Sequence, residues 1–127
     1  MAGLSHLDSH ILVWLYLPRL DLLSPRATQA LEEGDLAVSP MAVLEVTYLR
    51  EIGRLATDGP TVLGSLHDQF GLVMDETPFP RVIDEAHTQS WTRDPFDRLI
   101  AAQALAAGAT LVSADEAMRK HVPHSVW

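Results

Sequence analysis

The chain has 127 residues, of which 47% are hydrophobic, 20% charged and 6% aromatic, a balance that suits one globular domain (residues 1–127) with a real core. It contains no cysteine, which excludes disulfides, zinc-thiolate sites and cysteine nucleophiles together. Its formal net charge of -8 argues against gripping nucleic acid by bulk charge, so any such role must be local or assisted by a cation.

In chain order, "LSHLD" (4–8) is a short strand candidate, and "HILVWLYL" continues as an apolar helix ending before Pro18. "SPRATQALEEG" offers Ser24 as N-cap, Pro25 at the first helical position and Gly34 as stop, and "DLAVS" reads as a second strand. "SPMAVLEVTYLREIGRL" repeats the Ser-Pro start and is the longest helix candidate. Next come a helix in "GPTVLGSLHDQFG", a strand in "LVMD", and a proline turn leading into a helix within "PFPRVIDEAHTQS". A helix from Pro95 to Ala107 stops at Gly108; "ATLVSAD" is a strand, "EAMRK" a short helix and "SVW" a last strand. Strands separated by helices predict an α/β fold with a mostly parallel sheet covered on both faces. No apolar run approaches the ~20 residues that span a bilayer. The N-terminal stretch lacks the basic start and small-residue cleavage site of a secretory signal, so the expectation is no membrane and a cytoplasmic protein.

In a parallel α/β sheet, ligands bind beyond the carboxyl ends of the strands. Asp8 and Asp115 end two strand candidates and reach that edge, although Asp also favours such positions as a turn or capping residue. Helical spacing sets Glu45 on a stripe with Met41, Tyr48, Leu49 and Ile52, away from Thr47, Arg50 and Glu51. A carboxylate on an apolar side must be protonated, paired with a buried base or bound to a metal. Asp97 has Ile100, Ala101 and Ala104 on its side of the helix, and these alanines leave room around it. Asp94 is placed as N-cap with Pro95 behind it, which accounts for about 0.3–2 kcal/mol of helix stability and explains Asp94 better than Asp97.

Four acids meeting at one sheet edge repel one another unless something positive sits among them. All-oxygen ligation favours Mg²⁺, with Mn²⁺ as possible substitute, and such an ion suits phosphodiester hydrolysis. Arg98 and Arg93 are candidates for a scissile phosphate or an acidic partner, with an ordinary ion pair as the competing reading. Ser113 can bond a metal-held water or a neighbouring backbone group. The histidines show no paired ligand spacing within one helix, and Trp14, Trp91 and Trp127 read as core or rim packing before a base platform. The run Ile11–Leu17 divides between core and partner surface.

In this order, "LDSHILVWL", "SPMAVLEVTYLREIGRL", "RDPFDRLIAAQA" and "LVSAD" resemble the PIN-domain nucleases, and within them the VapC-type toxins of bacterial toxin-antitoxin pairs. The resemblance spans nearly the whole chain. It implies a three-layer α/β/α fold and a Mg²⁺-dependent endoribonuclease acting on RNA through Asp8, Glu45, Asp97 and Asp115. Asp8, Asp97 and Asp115 would be the metal ligands, and a homodimer blocked by a cognate antitoxin is expected. Where many relatives carry a Trp before the helical Glu and a Lys four residues after it, this chain has Leu44 and Leu49. A phosphoacceptor receiver domain needs a strand-end Lys, whereas the only lysine is Lys120 in a terminal helix candidate. A haloacid-dehalogenase-like phosphatase needs an Asp where His10 stands. The remaining alternative is a PIN-fold module that binds protein or RNA without catalysis.

Overall fold

A computed structural model describes residues 3–127. β1 (Leu4–Leu7) leads into α1 (Ser9–Tyr16), and a short 3-10 turn at Leu20–Leu22 connects to α2 (Pro25–Glu33). β2 (Asp35–Val38), α3 (Pro40–Glu51), α4 (Gly59–Phe70), β3 (Val73–Met74) and α5 (Phe79–Ala86) follow. The chain closes with α6 (Pro95–Ala107), β4 (Thr110–Val112), α7 (Glu116–His121) and β5 (Ser125–Val126). All five strands pair in parallel in the order β3-β2-β1-β4-β5, giving the three-layer α/β/α architecture the alternation of elements predicts.

Local chemistry sets most boundaries. The Ser24 hydroxyl accepts from the Ala27 N–H and the Ser39 hydroxyl from the Met41 N–H, each ahead of a proline in the first turn. Asp58 caps α4 through the Thr61 N–H, and Gly71 and Gly108 end α4 and α6 in the left-handed conformation. The 3-10 turn carries no sequence cue. α3 is shorter than its sequence suggests: it stops at Glu51, Gly53 turns the chain at φ 81°, and α6 with 13 residues exceeds its 12. Among the described residues, no helix is long and apolar enough to cross a membrane.

One large apolar cluster forms most of the core, with a smaller one at Val82, Ala86 and Ala102 between α5 and α6. Leu7, Ile11, Leu12, Val38, Val46, Leu66, Ile100, Leu111 and Met118 are all fully buried in the large one. Ile11, Leu12 and Leu15 from the first apolar helix are buried while Leu17 is exposed, so that run does divide between core and surface. α1, α3 and α4 pack on one another, and α4 comes tightly against α3 at Gly59, whose N–H donates to the Thr47 hydroxyl at 2.8 Å. A Cβ at Gly59 would overlap the Val43 carbonyl oxygen, whereas one at Gly64, in the middle of α4, would meet open space. Gly59→Ala should therefore destabilise by about 1–3 kcal/mol. Gly64→Ala should stabilise by ~0.5–1 kcal/mol through helix propensity. Urea midpoints of the two variants check this, and equal effects would contradict the close α3/α4 contact.

Candidate active site at the switch point of the sheet

The chain order reverses at the central strand, because β2 lies on one side of β1 and β4 on the other. Side chains at the carboxyl ends of β1 and β4 therefore border the crevice where α/β sheets bind ligands. Asp8 stands there, 3% exposed, with Oδ1 accepting from the Ser9 N–H at 2.8 Å and Oδ2 from the Ser113 hydroxyl at 2.7 Å. The Ser113 oxygen in turn accepts from the Asp115 N–H at 3.0 Å, so one hydroxyl links the ends of the two strands. Asp115 is exposed and caps α7 through the Met118 N–H. Thus the capping explanation holds for Asp8 and Asp115 alike, and it does not exhaust their second oxygens.

Two helices bring the other acids. The Asp94 carboxylate accepts from the Phe96 and Asp97 N–H groups, as an N-cap should. Asp97, one turn into α6, is half-buried above the buried Ile100, Ala101 and Ala104. Burial, then repulsion from Asp94, Asp8, Glu45 and Asp115 in that order, pushes its pKa up to about 7. Glu45 is also raised, first by burial, with the Ser9 hydroxyl opposing and the charges of Asp8 and Asp94 adding. Its Oε1 is buried without a hydrogen-bond partner. Mutual repulsion thus links the four predicted acids and Asp94 across α3, α6 and the ends of β1 and β4.

Several readings need correction. The stripe assigned to Glu45 is not the buried face of α3. Ala42, Val43 and Val46 face the core, while Tyr48 and Ile52 are exposed. Glu45 lies at the border of the two faces, and its unpartnered oxygen, not an apolar stripe, makes it unusual. No buried arginine pairs with it: among the described residues, arginine ion pairs occur only at Arg19–Asp21 and Arg50–Asp58. Among the described residues, Arg98 makes no ion pair. Its Nε–H donates to the Ala86 carbonyl at 2.8 Å and ties α6 to α5. Arg93 is exposed and, among the described residues, in no ion pair. The three tryptophans pack against the core.

His10, one of the histidines without paired ligand spacing, borders the site. Its Nε2 accepts from the Ala114 N–H at 2.8 Å, which places the ring proton on Nδ1, 3.8 Å from Asp8 Oδ2. Burial lowers its pKa, outweighing the pull of Asp8 and Asp115, so the ring is neutral at neutral pH. Its position two residues after the strand-end Asp8 was the only sequence cue.

Comparison with known proteins gives the family and the fold. A family model described as PIN domain matches residues 6–122. The chain belongs to the PIN-domain family. Ribonuclease VapC22 of Mycobacterium tuberculosis (strain ATCC 25618 / H37Rv) is similar to this PIN domain, with 35% identity over 127 residues, covering 95% of this chain and 96% of that protein. Among solved structures, VapBC2 from Rickettsia felis bound to a DNA fragment from its promoter has a similar fold. Its TM-score is 0.58 at 18% identity, over 97% of this chain and 96% of the other. VapBC-1 from nontypeable Haemophilus influenzae gives 0.59 at 14% identity, over 98% and 96% of the two chains.

The residues of this PIN domain fit a hard divalent cation in kind: every donor is a carboxylate oxygen, one is buried and uncommitted, and their charges repel. Among the described residues, however, no three acids or histidines stand together as a ready-made metal site. The carboxylates would have to draw in on the ion.

The sign of the Asp97 shift sets a pH dependence. An acid with an ordinary pKa of about 3.9 unfolded and about 7 folded leaves the native state holding more protons between those values. Without divalent cations, stability from this group should therefore fall as pH rises from about 4 to about 7, then level off. Denaturant unfolding across that range should show a shallower fall for Asp97→Asn. A wild-type fall no steeper than the variant's would contradict the raised pKa.

Proposed function

We propose that this PIN domain is a Mg²⁺-dependent endoribonuclease, the toxin of a toxin-antitoxin pair, with Asp8, Glu45, Asp97 and Asp115 as its working carboxylates. The observation that carries the reading is Asp97 itself, half-buried and facing the charges of four other acids around the sheet's switch point, with burial first and their repulsion second raising its pKa. Similarity to a ribonuclease over nearly the whole chain supports the substrate class.

Asp8, Asp97 and Asp115 would hold the ion directly or through water. When bound, a cation of this kind would offset the acids' repulsion, neutralise phosphate charge and lower the pKa of a coordinated water. The Ser9 N–H and the Ser113 hydroxyl orient Asp8 by donating to its two carboxylate oxygens. Glu45, with its free buried oxygen and raised pKa, orients the attacking water or accepts its proton. Asp94 aims α6 and tunes Asp97 from beside it. Arg93, exposed and unpaired, is better placed for a phosphate than Arg98, which is tied to α5. Mn²⁺ is expected to substitute for Mg²⁺.

A cognate antitoxin and a homodimeric state belong to the same proposal, as does a cytoplasmic location. Exposed Leu44 and Tyr48 on α3, Ile52 just after it and Phe79 on α5 supply apolar surface for protein partners. A PIN-fold module without catalysis would bind RNA or protein equally well with or without the acids' charges.

Asp8→Asn and Asp97→Asn should each abolish cleavage, by about 100-fold or more, in folded protein. Asp94→Ala should lose about 1 kcal/mol of stability and a smaller share of cleavage. Incubation of purified variants with total RNA and mapping of the new ends measures both activity and substrate. Undiminished cleavage by folded Asp8→Asn protein would sink the assignment.

A further inference from the structure

Beneath the acids runs a second polar system. His6 Nε2 bonds Asp75 Oδ2 at 3.1 Å, and Asp75 Oδ1 accepts from the Gln103 amide at 3.0 Å and the Thr77 N–H at 2.8 Å. The Gln103 carbonyl oxygen accepts from the Ser39 hydroxyl at 2.7 Å, and the same hydroxyl oxygen caps α3 by accepting from the Met41 N–H. His6, Ser39 and Gln103 are buried at 1%, 1% and 5% exposure. Burial would raise the Asp75 pKa, but the bonds from Gln103 and Thr77, with His6, bring it down to about 2. Burial lowers the His6 pKa as well, outweighing the pull of Asp75, and in the neutral ring the bond to Asp75 puts the proton on Nε2 and leaves Nδ1 buried without a partner.

Such a chain is not the cheapest way to fill a core. Buried polar groups contribute little net stability even when fully paired, and well-packed apolar residues often do as well. Here one histidine nitrogen is not paired at all. What hydrogen bonds add over apolar contacts is directional, fixed spacing. Three members of this chain lie on segments that deliver an acid. His6 is two residues before Asp8 on β1, Ser39 starts the helix that carries Glu45, and Gln103 is six residues after Asp97 on α6. Asp75, just beyond β3, joins them. Those same three acids repel one another and tend to push their segments apart.

We propose that the hydrogen-bonded chain His6, Asp75, Gln103, Ser39 is a brace that fixes the spacing of the segments bearing Asp8, Glu45 and Asp97, with Gln103 as its central positioning residue. The inference rests on the reading of these acids as the site. Gln103 suits the task because its amide accepts at one end and donates at the other. Leucine does neither, and asparagine is one methylene too short to span both partners.

The test is a stability cycle on metal-free protein at about pH 8, where carboxylates are largely ionised. Gln103 and Asp97 lie about 9 Å apart along α6, far enough for independent substitutions to add. If the brace works against repulsion, Gln103→Leu should lower the denaturation midpoint by about half as much in the Asp97→Asn background as in wild type. Additive losses would mean a merely structural network and would overturn the proposal. With Mg²⁺, Gln103→Leu should lower kcat for RNA about 10-fold or more while KM changes less than about 2-fold. Loss in KM alone would also overturn it. Should Gln103→Leu not fold, Gln103→Asn serves the same comparisons.

Asp75 gives a check by rescue. Asp75→Asn keeps the shape, and His6 can move its proton to the unpartnered Nδ1 and accept from the new amide, so activity should persist within about 3-fold. Asp75→Leu should resemble Gln103→Leu, and equal loss in both Asp75 variants would count against the brace. A wild-type protein that cuts no RNA would defeat the nuclease reading. Wild-type cleavage abolished by Asp8→Asn but untouched by Gln103→Leu would defeat the brace alone.

Discussion

Repulsion between carboxylates is the constraint around which this molecule is arranged. Asp97 is half-buried and feels the charges of Asp94, Asp8, Glu45 and Asp115, a placement that folding alone would not favour. The fold tolerates it through local hydrogen bonds. Ser9 and Ser113 hold Asp8, the α6 start holds Asp94, and the α7 start holds Asp115. Each acid except Glu45 and Asp97 also serves as a helix cap, so one residue provides both a boundary and a charge.

The topology explains why the charges meet. A parallel sheet of order β3-β2-β1-β4-β5 brings the carboxyl ends of β1 and β4 side by side, although Asp8 and Ser113 are separated by most of the chain. α3 and α6 pack against each other and add Glu45 and Asp97 from the helical side. The buried chain through Gln103 ties those helices together below. In that view, the crevice is a set of opposed charges supported from beneath by directional bonds.

Much of this was legible in the sequence, because it is written in local chemistry. Ser-Pro starts, the Asp94-Pro95 cap and the Gly108 stop place α2, α6 and the start of α3 almost to the residue. The acids stand out because apolar neighbours surround Asp97 and strands precede Asp8 and Asp115. Contacts between distant segments leave no such trace. Periodicity gave Glu45 the wrong stripe, since the core takes Ala42, Val43 and Val46 once α4 packs against α3 at Gly59. The links from Ser113 to Asp8 and from Gln103 to Ser39 join residues 105 and 64 apart in the chain. Spacing within a helix or strand cannot reveal such pairs, nor the tautomer of His10 fixed by the Ala114 N–H.

The central claim is that opposed carboxylates form a site for a divalent cation. Thermal unfolding of wild type, Asp8→Asn and Asp97→Asn with increasing Mg²⁺ at constant ionic strength tests it most directly. A ligand bound only by the native state stabilises by about 2.7 kcal/mol at 100 times its dissociation constant. The account predicts a saturable rise in the wild-type midpoint that both variants lose. Equal Mg²⁺ responses in all three proteins, or none in wild type, would contradict it.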